Sequence, residues 1–342
     1  MLTIYFLLVG ELVMVNIEEL IAIPKIELHC HLDGSVSYEY LKKQAELQHL
    51  DLDFNKVSAS EECEDLAEYL TCFDEILKAM QTEESLTESV IDVVNQAQRD
   101  GIKYIELRFA PKFHTQKDMS IRDALEAVCK GAEFAESEYS IMVRILVCGM
   151  KHHSNEENIN IFKQIHDTDL LKKYIVGVDL AGGEDDNSMS QHAEAIQYAK
   201  DKELNITLHA GECGCIKNIY DAVKMGAKRI GHGVALFNDK EQLNHFQNSN
   251  VLLEICPRSN VQTKAINHIK EIDLGSLKRL NIPYLINTDN RIVTQTNLIK
   301  EYLTLLENGM ITTEEIKRIN REAIEYAFID SFDKKEILKN WQ

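Results

Sequence analysis

The sequence predicts an α/β chain folded as a (β/α)8 TIM barrel, with extra helices inserted between strands 1 and 2 and at the C-terminus. Three observations carry the prediction. Short β-branched runs alternate with amphipathic helical stretches, the pattern of parallel strands joined by helical crossovers. Several runs are nearly continuously apolar, as strands covered on both faces are. The runs number eight, the count that closes a barrel whose chemistry collects at the C-terminal ends of its strands.

In order, the strands are read at residues 26–31 (IELHCH), 103–109 (KYIELRF), 142–148 (MVRILVC), 175–182 (IVGVDLAG), 205–211 (NITLHAG), 228–233 (KRIGHG), 251–257 (VLLEICP) and 283–289 (PYLINTD). A doubly wound open sheet is the alternative, but it calls for a glycine-rich phosphate turn after strand 1, where this chain has HLDGS. The long connection from residue 31 to residue 103 holds an insertion. Within it, residues 65–80 place Leu66, Tyr69, Leu70, Phe73, Ile76 and Leu77 at i, i+3, i+4 spacing, predicting one helix with one apolar face. That face either packs on the barrel wall or forms a lid whose Tyr69 and Phe73 wall a ligand pocket. The tail reads as two helices, 292–308 and 313–328, closing the barrel.

The 342 residues are 44% hydrophobic and 27% charged, the make-up of a globular rather than a disordered chain. With 37 basic residues against 56 acidic ones the net charge is -19. Such a surface repels phosphate backbones and anionic lipid, so neither nucleic acid nor membrane is expected as a partner, and no protein partner is implied. Residues 1–15 (MLTIYFLLVGELVMV) read as an apolar N-terminal extension, too short to span a bilayer and lacking the basic start of a secretory signal. Residues 16–342 read as a single barrel domain. Eight cysteines without a CxxC pair point to reduced thiols and a cytoplasmic location.

Of the twelve histidines, His49, His114, His152, His153, His166, His192, His245 and His268 lie in helical or polar loop contexts and are read as having no role in a site. His29, His31, His209 and His232 instead fall at or just past the C-terminal ends of predicted strands. His29 and His31 are two apart on one strand, so both imidazoles project to the same face and can bind one cation. His209 comes from strand 5, and Asp289 from strand 8, which adjoins strand 1 once a barrel closes. Three imidazoles and one carboxylate suit a borderline-soft divalent ion such as zinc. Glu212, three residues past His209, is either a proton donor whose pKa is raised by burial or a solvated loop glutamate. His232, between Gly231 and Gly233, is either structural or a base or oxyanion partner beside the metal.

Taken together, PKIELHCHLDGS (24–35), LHAGE (208–212), RIGHG (229–233), CPRSN (256–260) and NTD (287–289) resemble, in this order, the motif set of the adenosine deaminase family within the amidohydrolase superfamily. VGVDLAG and GIKYIELRFAP are also similar. The resemblance implies one zinc held by His29, His31, His209 and Asp289, with a water completing the shell. It implies Glu212 as proton donor at purine N1, His232 as the group that accepts or steers a proton of the water, and Asp289 as its orienter. The implied reaction is hydrolytic deamination of adenosine, and of 2′-deoxyadenosine, to inosine and ammonia in purine salvage. Substrate would be met by His31, by Asp33 at a ribose hydroxyl, by the Gly182 backbone N–H at N3, and by Tyr69 and Phe73; a tight turn is the other reading of Gly182. Asp179, Ser259 and Glu254 look like supporting residues. One departure is that many members carry a second aspartate and then proline where this chain has Asn290 and Arg291. An asparagine amide can donate to N7 without first being protonated, so purine recognition survives the change.

Three rivals remain open at this point. A deaminase of adenine, methylthioadenosine or AMP shares the chemistry, although adenine leaves Asp33 without a ribose and AMP needs basic residues. An amidase or phosphoesterase on the same barrel usually needs a bridging lysine, and strand 4 has none. A non-catalytic nucleoside-binding protein would be expected to have lost Glu212, His232 or a metal ligand.

Overall fold

The computed structural model describes residues 3–8, 11–166, 168–184, 188–339 and 341. Ahead of the barrel, β1 (Thr3–Leu8) and β2 (Glu11–Asn16) form an antiparallel hairpin in the segment read as an extension. The eight predicted runs then each hold a strand: β3 (Lys25–His31), β4 (Ile102–Phe109), β5 (Met142–Met150), β6 (Ile175–Ala181), β7 (Asn205–Ala210), β8 (Arg229–His232), β9 (Leu252–Ile255) and β10 (Tyr284–Ile286). They are all parallel, ordered β3 to β10 through the sheet. The barrel closes just past β10, where Cys30 bridges Asp289, His31 N–H donates to Asp289 O (2.7 Å) and Asp289 N–H donates to His29 O (3.0 Å). Asn287 completes the seam, its Oδ1 accepting from the amides of Leu28 and His29.

The last three strands are shorter than their sequence runs. His232 (φ 65°) and Asp289 (φ 63°) sit in the left-handed region and turn the chain out of the ladder, and Pro257 opens a helix, Pro257–Gln262. Those turns aim side chains into the barrel mouth.

The insertion departs from expectation. Residues 65–80 form two short helices, Leu66–Leu70 and Phe73–Lys78, rather than one. The first is capped by Asp65, and it ends where Thr71 Oγ1 takes the Glu68 carbonyl (2.7 Å) and tight i→i+3 bonds replace the helical ones. In the tail, residues 292–297 are not helical. Ile292 N–H bonds to Gly34 O, and the helix begins only at Leu298, capped by Asn297. Further helices follow at Thr313–Ala323 and Ser331–Lys339. This tail plugs the barrel floor: Phe328 N–H donates to Glu106, Arg229 donates to Tyr326 O and lies 3.7 Å over the Phe328 ring. Among the described residues no helix is long and apolar enough to cross a membrane.

Candidate active site

Charged residues fill the lumen. Arg108 on β4 meets Asp179 on β6 (2.7 Å) and Glu254 on β9 (2.8 Å), and Arg229 on β8 lies 2.7 Å from Glu254 and pairs with Glu106 on β4. β8 and β9 are sheet neighbours, but β4 adjoins none of β6, β8 and β9, so Arg108 and Glu106 meet their partners only across the interior. Glu254 is the hub, also accepting from Thr207 Oγ1 (3.0 Å) and facing His29 Nδ1 (2.8 Å). Burial works against its charge, but the two guanidiniums hold its carboxyl well below the usual range.

Above this layer the imidazoles converge. Donor atoms of His29, His209, His232 and Asp289 lie within 4.8 Å of one another. His31 joins from the open side, its Nε2 3.1 Å from His209 Nε2 and 3.5 Å from Asp289 Oδ1. Carboxylates behind the rings decide their tautomers. His29 turns Nδ1 to Glu254, and His209 Nδ1 lies 2.7 Å from Asp179, so each directs an unprotonated Nε2 into the centre. His29 Nε2, buried and without a hydrogen-bond partner, lies 3.2 Å from Asp289 Oδ1. A lone pair facing a carboxylate at that distance repels it unless a metal cation, or a proton on Nε2, stands between them.

The charge count agrees. With the His29 ring neutral, Asp289, Asp179, Glu254 and Glu106 against Arg108 and Arg229 leave two buried negative charges, which a divalent ion would neutralise. Burial pushes His31 and His209 down to about 3, keeping both rings neutral and able to ligate. For His29, burial and Arg108 pull downward, yet Asp289 and Glu254 outweigh them and raise it. Burial opposes the charge of Asp289, but its imidazole neighbours hold it well below the carboxylate range, and Ser259 Oγ donates to its Oδ2 (2.5 Å).

His232 differs from the other three. Its Nδ1 meets the Asn260 side-chain amide at 2.9 Å, and its Nε2 points to Glu212 Oε2 at 3.6 Å, beyond hydrogen-bond reach. With the amide nitrogen on Nδ1 the ring carries its proton on Nε2. Turned over, Asn260 Oδ1, which is buried without a partner as placed, accepts from Nδ1 and leaves Nε2 free to act as a base. Glu212 is buried rather than solvated. Burial, then the charge of Asp289, push its carboxyl up to about 8.

These groups open on a cavity of about 450 Å³ at the C-terminal mouth of the barrel. Asp33, Tyr69, Phe73, Gly182 and Asn290 all line it together with His31, His209, Glu212, His232 and Asp289. Both short insertion helices contribute lining residues, Tyr69 from the first and Phe73 from the second; Tyr69 is in addition tied to Thr294 (2.6 Å). Gly182 has φ 93°, which itself favours glycine, while an added Cβ would stand 3.3 Å from Met150 Cε. Asn290 packs so closely on Gly34 that a Cβ there would come within 2.0 Å of its Oδ1.

With the geometry assembled, the comparisons decide the family. The adenosine deaminase family model matches residues 24–341. The chain belongs to the adenosine deaminase family. An adenosine deaminase from Enterococcus faecalis is 39% identical over 319 residues, 92% of this chain and 94% of that protein. One from Clostridium perfringens is 36% identical over 328 residues, 94% of this chain and 98% of its own length. Among solved structures, Arabidopsis ADAL complexed with IMP matches with a TM-score of 0.83 at 28% identity, covering 95% of this chain and 97% of that one. Adenine deaminase from Arthrobacter aurescens, at 21% identity and a TM-score of 0.85 over 94% of this chain and 98% of its own, shares the fold.

Within this adenosine deaminase fold, sequence reasoning overlooked several residues. His114, read as having no role, is buried with Nδ1 on Met80 O (2.9 Å) and Nε2 3.6 Å from Asp33 Oδ2; His152, read likewise, lines the cavity. Arg291 is an anchor, bonded to Glu27 and Asp100 at 2.7 Å each, which fixes the turn carrying Asp289 and Asn290. Asn260 and Glu184 were also passed over. The available signal was position: His152, Glu184 and Arg291 each lie within four residues past the end of a predicted strand run, and Asn260 belongs to the CPRSN motif, whereas nothing local marks His114.

Proposed function

We propose that the protein is a zinc-dependent hydrolase that converts adenosine, and 2′-deoxyadenosine, to inosine and ammonia in the cytoplasm. The observation that carries this reading is one cavity holding both a converging set of three imidazoles and a carboxylate and, beside it, a buried, proton-holding Glu212. His29, His31, His209 and Asp289 would hold the ion; three nitrogens and a carboxylate oxygen suit zinc, which when bound supplies the Lewis acidity that makes a water nucleophilic near neutral pH.

The chain's own residues then divide the proton work. Glu212, protonated at neutral pH, delivers its proton to purine N1 and makes C6 electrophilic. His232 Nε2 takes a proton from the attacking water, and Asp289 orients that water with its carboxylate. After addition at C6, the exocyclic nitrogen leaves as ammonia with the one water proton that His232 had taken, N1 keeps the proton from Glu212, and the second water proton, lost as the C6 oxygen becomes a carbonyl, restores the Glu212 carboxyl. Asp33 accepts from a ribose hydroxyl, the Gly182 N–H donates to N3, and the Asn290 amide donates to N7. Tyr69 and Phe73 cover the base.

The test is ammonia release by zinc-loaded protein offered adenosine, 2′-deoxyadenosine, methylthioadenosine, adenine and AMP, with a chelator control. Chelator-sensitive turnover fastest on adenosine supports the reading. Preference for another aminopurine overturns the assignments at Asp33 and Asn290. No turnover on any of the five by zinc-bound protein overturns the reading altogether.

A further inference from the structure

One buried ion pair at the barrel mouth takes no part in the chemistry above. Lys151, just past β5, and Glu184, in the loop after β6, are both buried, with Nζ and Oε1 3.4 Å apart. The carboxylate of Glu184 does more than balance the lysine. Its Oε2 accepts from the Gly211 amide (3.1 Å) and from Asn218 Nδ2 (3.3 Å), and its Oε1 from the Glu212 amide (3.4 Å). Asn218 in turn accepts from Met189 N–H (3.1 Å), beyond the β6 loop. One side chain thereby ties three successive loops of the barrel, and all three carry groups that face the cavity: His152, Gly182 and Glu212.

We propose that Glu184, charge-balanced by Lys151, is a positioning residue that fixes the Glu212 carboxyl relative to the substrate-facing turn at Gly182. The proposal rests on the deaminase reading and extends it. A proton donor on a loop reaches N1 only if its backbone is held to within a fraction of an ångström of the base, and loop atoms have no ladder to hold them. Here the ladder is replaced by a carboxylate taking consecutive amides on one side, two residues after Gly182 on its own. A glutamine at this position keeps the shape but turns one acceptor into a donor, which faces an N–H instead of receiving it. Lys151 keeps the carboxylate's charge from going uncompensated in the interior.

The test compares zinc-loaded wild type with Glu184→Gln, Lys151→Met and the double variant, measuring kcat and KM on the best aminopurine, bound zinc and the unfolding midpoint. The expected result is a kcat lowered about 10–100-fold in Glu184→Gln, with zinc content unchanged and KM moved by less than about threefold. The double variant should be no worse than the poorer single, because the pair acts as one unit. If Glu184→Gln does not fold, Lys151→Met carries the test, with a kcat loss at constant zinc expected. An active wild type whose Glu184→Gln or, failing that, Lys151→Met keeps its kcat overturns the proposal, as does a loss traced to missing zinc. A zinc-loaded wild type inactive on every aminopurine overturns the deaminase reading and this extension together.

Discussion

Glu254→Gln is the sharpest probe of how the buried charge layer supports the cation site. The substitution keeps the volume but removes the charge that four partners share: His29, Arg108, Arg229 and Thr207. The amide oxygen can still serve one side, Arg229 and Thr207. The amide nitrogen must then face the Arg108 guanidinium and the His29 N–H, donor against donor. Two charge-assisted bonds at about 1.5–3 kcal/mol each are lost, in the range of about 3–5 kcal/mol for breaking a buried pair. Arg108 retains Asp179 and Arg229 retains Glu106, which argues for the lower half of that range. His29 loses the group that fixes its tautomer, so metal affinity should also fall, about 10–100-fold. Denaturant unfolding of the metal-free protein measures the first effect and competition against a chelator the second. Unfolding free energy within 1 kcal/mol of wild type, together with unaltered metal affinity, would refute the idea that Glu254 holds the layer and the ring above it.

Two further outcomes follow from the site. Glu212→Gln should abolish most turnover while leaving metal bound, and it should raise the unfolding midpoint more at pH 8 than at pH 5. The sign comes from Glu212 being pushed up to about 8 in the fold, so that in wild type folding takes up a proton across the range from the ordinary carboxylate value to about 8 and stability falls as pH rises there. Equal shifts at the two pH values would show that the carboxyl is not held protonated. Asn290→Asp should make substrate affinity fall more steeply with rising pH than in wild type, because a carboxylate must be protonated to donate where the amide donates at any pH; superimposable KM profiles would count against N7 recognition by this side chain.

All eight barrel strands were legible because strands buried on both faces write themselves as β-branched runs. The four groups His29, His31, His209 and Asp289 were legible because strand ends of a barrel share one mouth. What a one-dimensional reading could not supply was backbone sign and partner choice. Nothing in RIGHG or NTD announces that His232 and Asp289 adopt positive φ and so end their strands early. The apolar period runs unbroken through Thr71 and Cys72, although the helix breaks there, since the break depends on which carbonyl the Thr71 hydroxyl takes. Arg108 and Glu254 are visibly charged within apolar runs, but their meeting across the lumen joins residues 146 positions apart. His114 looked like any loop histidine because its partner Asp33 lies on the far side of the insertion.

The seam between β3 and the turn after β10 has a consequence for biosynthesis. His29 and His31 leave the ribosome long before Asp289, the residue that bonds to both of their backbones and completes the donor set. A nascent chain shorter than this can form hairpins and crossovers but has neither a closed barrel nor a complete cation site. Filling of the proposed cation site is therefore expected to be a late event, coupled to the joining of the first strand of the barrel to the turn after its last.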